Sequence, residues 1–176
     1  MNRLLICITT AVGLAVSNGY AQTDGSRESI SMSQTYANSQ DGTYRYYKQG
    51  EEQPFTGVLY AKYPNGNYES WQEYEDGVGE GTWINYYENG NVKEQGTYQN
   101  NQVEGPVKMY YENGNLKASG QYRDWRIRVG TWTYYNENGR EIKTEDYGKE
   151  GDFRDVEYFY QSGQILERWY QQILKK

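Results

Sequence analysis

The chain has 176 residues, a net charge of −6, one cysteine and no histidine. Without histidine there is no Ser-His-Asp triad and no histidine-ligated metal, and the acidic balance disfavours nucleic acid or anionic lipid as main partners. Since only 36% of the residues are hydrophobic, a two-layer sandwich with an apolar interior is also disfavoured.

The first 21 residues have the pattern of a secretory signal peptide. Arg3 precedes an apolar run from Leu4 to Val16, and Gly19 and Ala21 place small residues at a cleavage site. A membrane anchor is the alternative, but the run is short for a span. We expect cleavage after Ala21 and a periplasmic, cell-surface or secreted protein that lacks cysteine and so depends on packing or repeats.

Residues 22–42 are polar and rich in serine. Such a composition buries little apolar surface and predicts a flexible leader, with pairing as an edge strand as the alternative. The ordered domain is then expected over residues 43–176.

From there the chain repeats itself about every 24 residues. Five turn glycines follow one another at spacings of 24, 24, 25 and 24 residues, and strand-forming aromatic and β-branched residues flank each of them. The turn glycines are Gly66, Gly90, Gly114, Gly139 and Gly163. This period predicts β-hairpins near residues 57–80, 81–104, 105–129, 130–153 and 154–170.

The Asn-Gly pairs are strong hairpin signals. Pro64 fits the first central position of a type I turn, so we expect a three-residue loop in which Gly66 takes the left-handed position. Short turns at the opposite ends, such as Asp76-Gly77, would link the hairpins into a continuous meander. The predicted fold is all-β: an antiparallel meander of hairpins in a single-layer twisted sheet.

Strand alternation assigns the large side chains to two faces. Trp83, Val107 and Trp132 should share one face, where packing on neighbouring hairpins is favoured over stacking on a ligand. The opposite face should carry Tyr86, Tyr110 and Tyr135, which we take as candidate contacts for a partner.

The pattern Tyr-Tyr-Glu-Asn-Gly-Asn followed by Val or Leu and Lys resembles the MORN-variant repeat family of bacterial proteins. The resemblance covers roughly residues 43–170 and includes the start at Gln53-Pro54-Phe55. It implies an array of β-hairpins used for contacts. Some members are labelled antitoxin-like, and the parent repeat name refers to membrane association. The chain departs from the pattern at Arg154 and Glu141.

One loop breaks the repeat. Where other repeats have two-residue turns, the segment from Arg123 to Arg128 contains Trp125 and Arg126 as well. Tryptophan and arginine are enriched at protein interfaces, so these four residues form a candidate binding loop. The alternative is that Trp125 folds back onto Tyr122 and the arginines are solvated.

Catalysis is not expected. Glu88, Glu112 and Glu137 recur at one turn position, which is typical of a structural residue rather than a catalytic one. Neither a calcium-binding loop nor a phosphate loop is present. We therefore expect a non-enzymatic protein without cofactor or metal.

The sequence favours an exported protein–protein interaction module with a protein partner, which the antitoxin label would make a toxin. A signal peptide conflicts with a cytoplasmic toxin. The alternatives are a glycan-binding module, which would use exposed aromatics, and a peripheral membrane binder, which the charge disfavours. Residues 165–176 fit helical spacing, although the repeat register favours a strand.

Overall fold

The computed structural model describes residues 27–40, 42–124 and 126–151. These residues form a ten-stranded sheet and a two-stranded sheet, which confirms the all-β prediction. The predicted signal peptide, Trp125, the fifth hairpin and the C-terminal segment lie outside the described residues. The elements are β1 (Ser29–Ser31), a 3₁₀ helix (Met32–Gln34), β2 (Thr35–Gln40), β3 (Thr43–Lys48), β4 (Gly57–Lys62), β5 (Tyr68–Glu75), β6 (Val78–Tyr86), β7 (Val92–Gln99), β8 (Gln102–Val103), β9 (Gly105–Tyr110), β10 (Leu116–Arg123), β11 (Ile127–Tyr135) and β12 (Glu141–Asp146).

The large sheet has the order β1-β4-β5-β6-β7-β9-β10-β11-β12, with β8 beside β7. From β4 to β12 each strand pairs antiparallel with the next, as the period predicts. Strands β2 and β3 form the separate hairpin.

The turns at one end of the sheet are the predicted three-residue loops. In the second hairpin the amide of Tyr87 donates to the carbonyl of Asn91 (2.8 Å), and the amide of Gly90 donates to the carbonyl of Tyr87 (2.9 Å). The φ angle of Gly90 is 89°, a conformation that glycine adopts without the clash of a Cβ atom. At the opposite end, Asn100 and Asn101 have φ angles of 51° and 63°, as in a two-residue type I′ turn.

Within the predicted flexible leader, residues 29–40 instead form β1, the 3₁₀ helix and β2, so the alternative of strand pairing describes this segment. Strand β1 pairs in parallel with Val58–Tyr60 and covers the outer edge of β4. Ile30 is only 7% exposed and packs with Phe55, Leu59 and Tyr74. One buried isoleucine and the backbone pairing of an otherwise open edge hold this polar segment in place, although its average composition suggests disorder.

Two tryptophans organise one face of the sheet, here called the tryptophan face. Trp83 and Trp132 are 2% and 0% exposed and lie against the backbone of Gly96 and Gly120. A Cβ atom at Gly96 would come within 2.8 Å of Trp83, and one at Gly120 within 2.3 Å of Trp132. Glycine at these strand positions therefore lets each indole pack against the backbone of a neighbouring strand. The other buried members of this core cluster are Val103, Val107, Ala118 and Tyr122.

Candidate functional site

The predicted binding loop is held against the tryptophan face. The side chain of Arg126 is 10% exposed and its guanidinium contacts the carboxylate of Glu94, which is 5% exposed. The guanidinium carbon lies 5.6 Å from the ring centre of Trp83 and 5.3 Å from that of Tyr122. Arg126 is thus a buried packing residue, which leaves little of its side chain available to a partner.

The two other arginines also have partners within the chain. Arg128 lies over Trp132, at 5.1 Å from the ring centre. Arg123 donates to the carbonyls of Lys149 (2.7 Å) and Glu150 (2.8 Å), which joins the loop to the next turn. Neither the interface hypothesis nor the alternative of freely solvated arginines describes these contacts. Trp125 lies outside the described residues.

The three candidate tyrosines differ from one another. Tyr86 is 4% exposed and its ring centre lies 6.2 Å from that of Tyr68. Burial raises the pKa of its hydroxyl to about 12, and little of this side chain is available to a partner. Tyr110 and Tyr135 are half-buried and, by strand alternation, lie on the face opposite the tryptophans.

That opposite face contains an open groove of about 500 Å³ across β6, β7, β9, β10 and β11, which we call the hydroxyl groove. The backbone of Gly96, Val107 and Gly120 forms the floor of this groove. Trp83 and Trp132 pack against the other side of the same backbone. Among the described residues, Lys108 is the one charged residue of the groove lining, and none of them contributes a carboxylate to it. The lining side chains are those of Thr82, Gln95, Thr97, Pro106, Lys108, Ser119, Gln121, Thr131 and Thr133.

The strand register brings these side chains together. Thr82 is opposite Thr97, and Ser119 is opposite both Lys108 and Thr133, so their side chains point to the same face. Along its own strand, each of these residues is an odd number of positions from a residue buried on the tryptophan face, so its side chain lies on the opposite face. Gln95 donates to the hydroxyl of Tyr110 (3.2 Å), which places that tyrosine at the border of the groove.

The recurring turn residues join each hairpin turn to the next one. The side-chain amides of Asn89 and Asn91 both donate to the backbone carbonyl of Glu112 in the next turn (3.0 and 2.8 Å). The hydroxyl of Tyr87 donates to the carbonyl of Tyr110 (2.8 Å). The turns before and after repeat these contacts. The turns are therefore joined in a hydrogen-bonded ladder, to which Glu112 contributes its backbone.

Other carboxylates bind backbone amides. Glu80 accepts from the amide of Asn100 (2.9 Å), Glu104 from that of Asp124 (3.2 Å), and Glu73 from that of Thr82 (2.6 Å). In the described part of the chain no cluster of three or more acidic residues has the arrangement of a metal site. These contacts account for the carboxylates as stabilising groups of the turns and strands.

Comparison with known proteins gives one family. The model of the MORN repeat variant matches residues 79–100 and 103–124, which contain the hairpin β6–β7 and the hairpin β9–β10. No curated protein matches the chain. Among residues 27–40, 42–124 and 126–151, no helix has the length and apolarity needed to cross a bilayer. The two segments that form most of the hydroxyl groove are thus similar to MORN repeats, which are generally modules for interaction with proteins or membranes.

Proposed function

We propose that this protein is an exported, non-enzymatic interaction module that binds an extended polypeptide segment in the hydroxyl groove. The observation that carries the proposal is the contrast between the two faces. On one face the aromatic and arginine side chains are used in contacts within the chain, whereas the other face has a groove lined by hydroxyl and amide groups.

The chemistry of the groove suits a polypeptide. Threonine, serine and glutamine side chains both donate and accept hydrogen bonds, as the alternating N–H and C=O groups of an extended backbone require. Lys108 adds a positive charge to a lining to which the described part of the chain contributes no carboxylate. The bound segment should therefore be neutral or acidic, although the protein as a whole is acidic.

A glycan partner has less support. It was suggested by exposed aromatics, yet Trp83 and Trp132 are buried on the other face, and no aromatic side chain is among the described residues that line the groove. A peripheral membrane role would need apolar or basic surface, and the groove has a single lysine. A toxin, as implied by the relatives labelled antitoxin-like, is one polypeptide that the groove could bind.

Retention of a partner tests the proposal. Tagged protein, a Lys108→Glu variant and a Lys149→Glu variant would be immobilised and exposed to envelope extract, and retained proteins would be identified and titrated. Lys149→Glu is the matched control because it makes the same charge change at an exposed turn outside the groove lining. We expect one protein whose affinity falls at least tenfold, or about 1.4 kcal/mol, only with Lys108→Glu.

Equal retention by all three baits would place the binding surface elsewhere. Binding to soluble polysaccharide or co-sedimentation with liposomes, without a retained protein, would replace the proposal by one of its alternatives. Export is tested separately, by sequencing the N-terminus of the protein from the cell envelope. Cleavage after Ala21 is expected, whereas an exported protein that keeps residues 1–21 would contradict the signal-peptide hypothesis.

A further inference from the structure

The edges of the two sheets differ in how they are protected against pairing with a further strand. Strand β1 covers the edge of β4, and β12 carries the charged residues Glu141, Lys143 and Glu145, which discourage pairing with another strand. Strand β2 has neither protection. Its sequence, Thr-Tyr-Ala-Asn-Ser-Gln, contains no charge and no proline, and no strand in the described parts of the chain pairs with its outer side.

The hydrogen bonds of β3 show which groups of β2 point outward. Tyr46, which is opposite Ala37, donates to the carbonyl of Gly77 and accepts from the amide of Phe55, both at 2.8 Å. Its polar groups are therefore directed away from β2, and Ala37 forms a non-hydrogen-bonded pair with it. The amide and carbonyl of Ala37 then point away from β3, and alternation places those of Thr35 and Ser39 on the same outer side.

We propose that this outer edge pairs with the same strand of a second copy of the chain. The pairing is antiparallel and centred on Ala37, so that Ala37 faces its own equivalent and Thr35 faces Ser39 of the other copy. Because the backbone amide of Thr35 already donates to the carbonyl of Met32 at the end of the 3₁₀ helix, the outward groups of the two strands then exchange about four backbone hydrogen bonds across the two-fold axis. The pairing extends the two-stranded sheet to four strands.

The composition of β2 favours a second copy as the occupant. The pairing places small, uncharged side chains opposite one another, so that two chains of net charge −6 meet at a strip without charge. Tyr36 is 43% exposed and is stacked on Tyr47, with ring centres 5.2 Å apart. This ring stands beside Asn38 of the second copy in the proposed register, and pairing would cover it.

The test is the molar mass of the purified protein across a concentration series from about 1 to 100 µM, a range suited to a small interface, by sedimentation equilibrium. The Ala37→Pro variant removes the outward amide but no hydrogen bond between β2 and β3, because proline is tolerated where the amide of an edge strand faces solvent. Ala37→Ser keeps the amide and is the matched control. We expect a dimer for the parent and for Ala37→Ser, and a monomer for Ala37→Pro with an unchanged circular dichroism spectrum.

A parent protein that is monomeric throughout the series would overturn the proposal and leave the edge to a strand of another protein. A dimer that survives Ala37→Pro would also overturn it. Should Ala37→Pro fail to fold, Ser39→Pro removes another outward amide, and hydrogen exchange gives an independent readout. Protection of the amides of Ala37 and Ser39 must rise with concentration, and exchange that is independent of concentration contradicts the pairing. The Lys108→Glu variant should remain dimeric, which separates this test from that of the groove.

Discussion

Three strand glycines provide a graded test of the packing beneath the groove. Gly79, Gly96 and Gly120 have no positive φ angle, so replacement by alanine causes no backbone strain. The nearest atom to an added Cβ would lie at 3.3, 2.8 and 2.3 Å, respectively. The loss of stability should therefore increase in the order Gly79→Ala, Gly96→Ala, Gly120→Ala.

The magnitude follows from how freely each neighbour can move. At Gly120 the added Cβ meets three ring atoms of Trp132 within 2.5 Å, and that ring is held between Tyr122 and Arg128. Overpacking of this kind costs about 3 kcal/mol, which corresponds to a decrease of about 10 °C in Tm. Gly96→Ala meets the edge of the Trp83 indole and should cost about half as much. Gly79→Ala should be nearly neutral, because reduced freedom of the unfolded chain offsets a mild contact.

Thermal unfolding followed by circular dichroism measures all three variants. The double variant Gly120→Ala with Trp132→Leu provides the control, since removal of the indole should make the alanine nearly harmless and the two losses strongly non-additive. The reasoning would be refuted if Gly120→Ala were as stable as Gly79→Ala, or if the two losses in the double variant simply added.

Three further predictions concern the ion pair, the tyrosines and the turn ladder. Arg126→Ala leaves the carboxylate of Glu94 buried without its partner, so the free energy of unfolding from chemical denaturation should fall by about 3–5 kcal/mol. A second change, Glu94→Ala, should restore most of this stability, and additive losses for the two changes would contradict the reasoning. Burial raises the pKa of Tyr98 to about 12, so above pH 10 this tyrosine ionises in the unfolded chain before it does so in the folded one. The Tm should therefore fall between pH 10 and 12, and less steeply for Tyr98→Phe, whereas parallel curves of Tm against pH for the two proteins would exclude this tyrosine as a cause. Asn91→Ala removes the hydrogen bond from this side chain to the backbone carbonyl of Glu112 and should lower the free energy of unfolding, measured by urea titration, by about 1 kcal/mol. Glu112→Ala keeps that carbonyl and should change the same quantity by less than about 0.5 kcal/mol.

The hairpins and their loops could be predicted from the sequence because the signals are local and repeated. Pro64 and the Asn-Gly pairs restrict the backbone within a few residues, and the structure confirms the three-residue loop at Gly90. Strand alternation also separated Trp83 from Tyr86 correctly. These are properties of neighbouring residues and need no knowledge of distant contacts.

The remaining features depend on contacts between distant residues. Alternation assigns a face to Glu94 but cannot show that Arg126, 32 positions later, folds over it. The parallel pairing of β1 rests on three residues and one buried isoleucine, too little for a pattern to detect. Gly96 and Gly120 do carry a local signal of this packing, because a glycine within a strand often marks the close approach of another group.

The central claim is that the hydroxyl groove, rather than the arginine loop, binds a polypeptide partner. Site-specific photo-crosslinking tests it most directly, with a photoreactive residue at Gln121 in the groove or, for comparison, at the exposed Glu88 in a turn of the ladder. We expect one protein adduct from position 121, lost with Lys108→Glu, and none from position 88. Adducts of equal yield from both positions, or an adduct at position 121 unaffected by Lys108→Glu, would contradict the account.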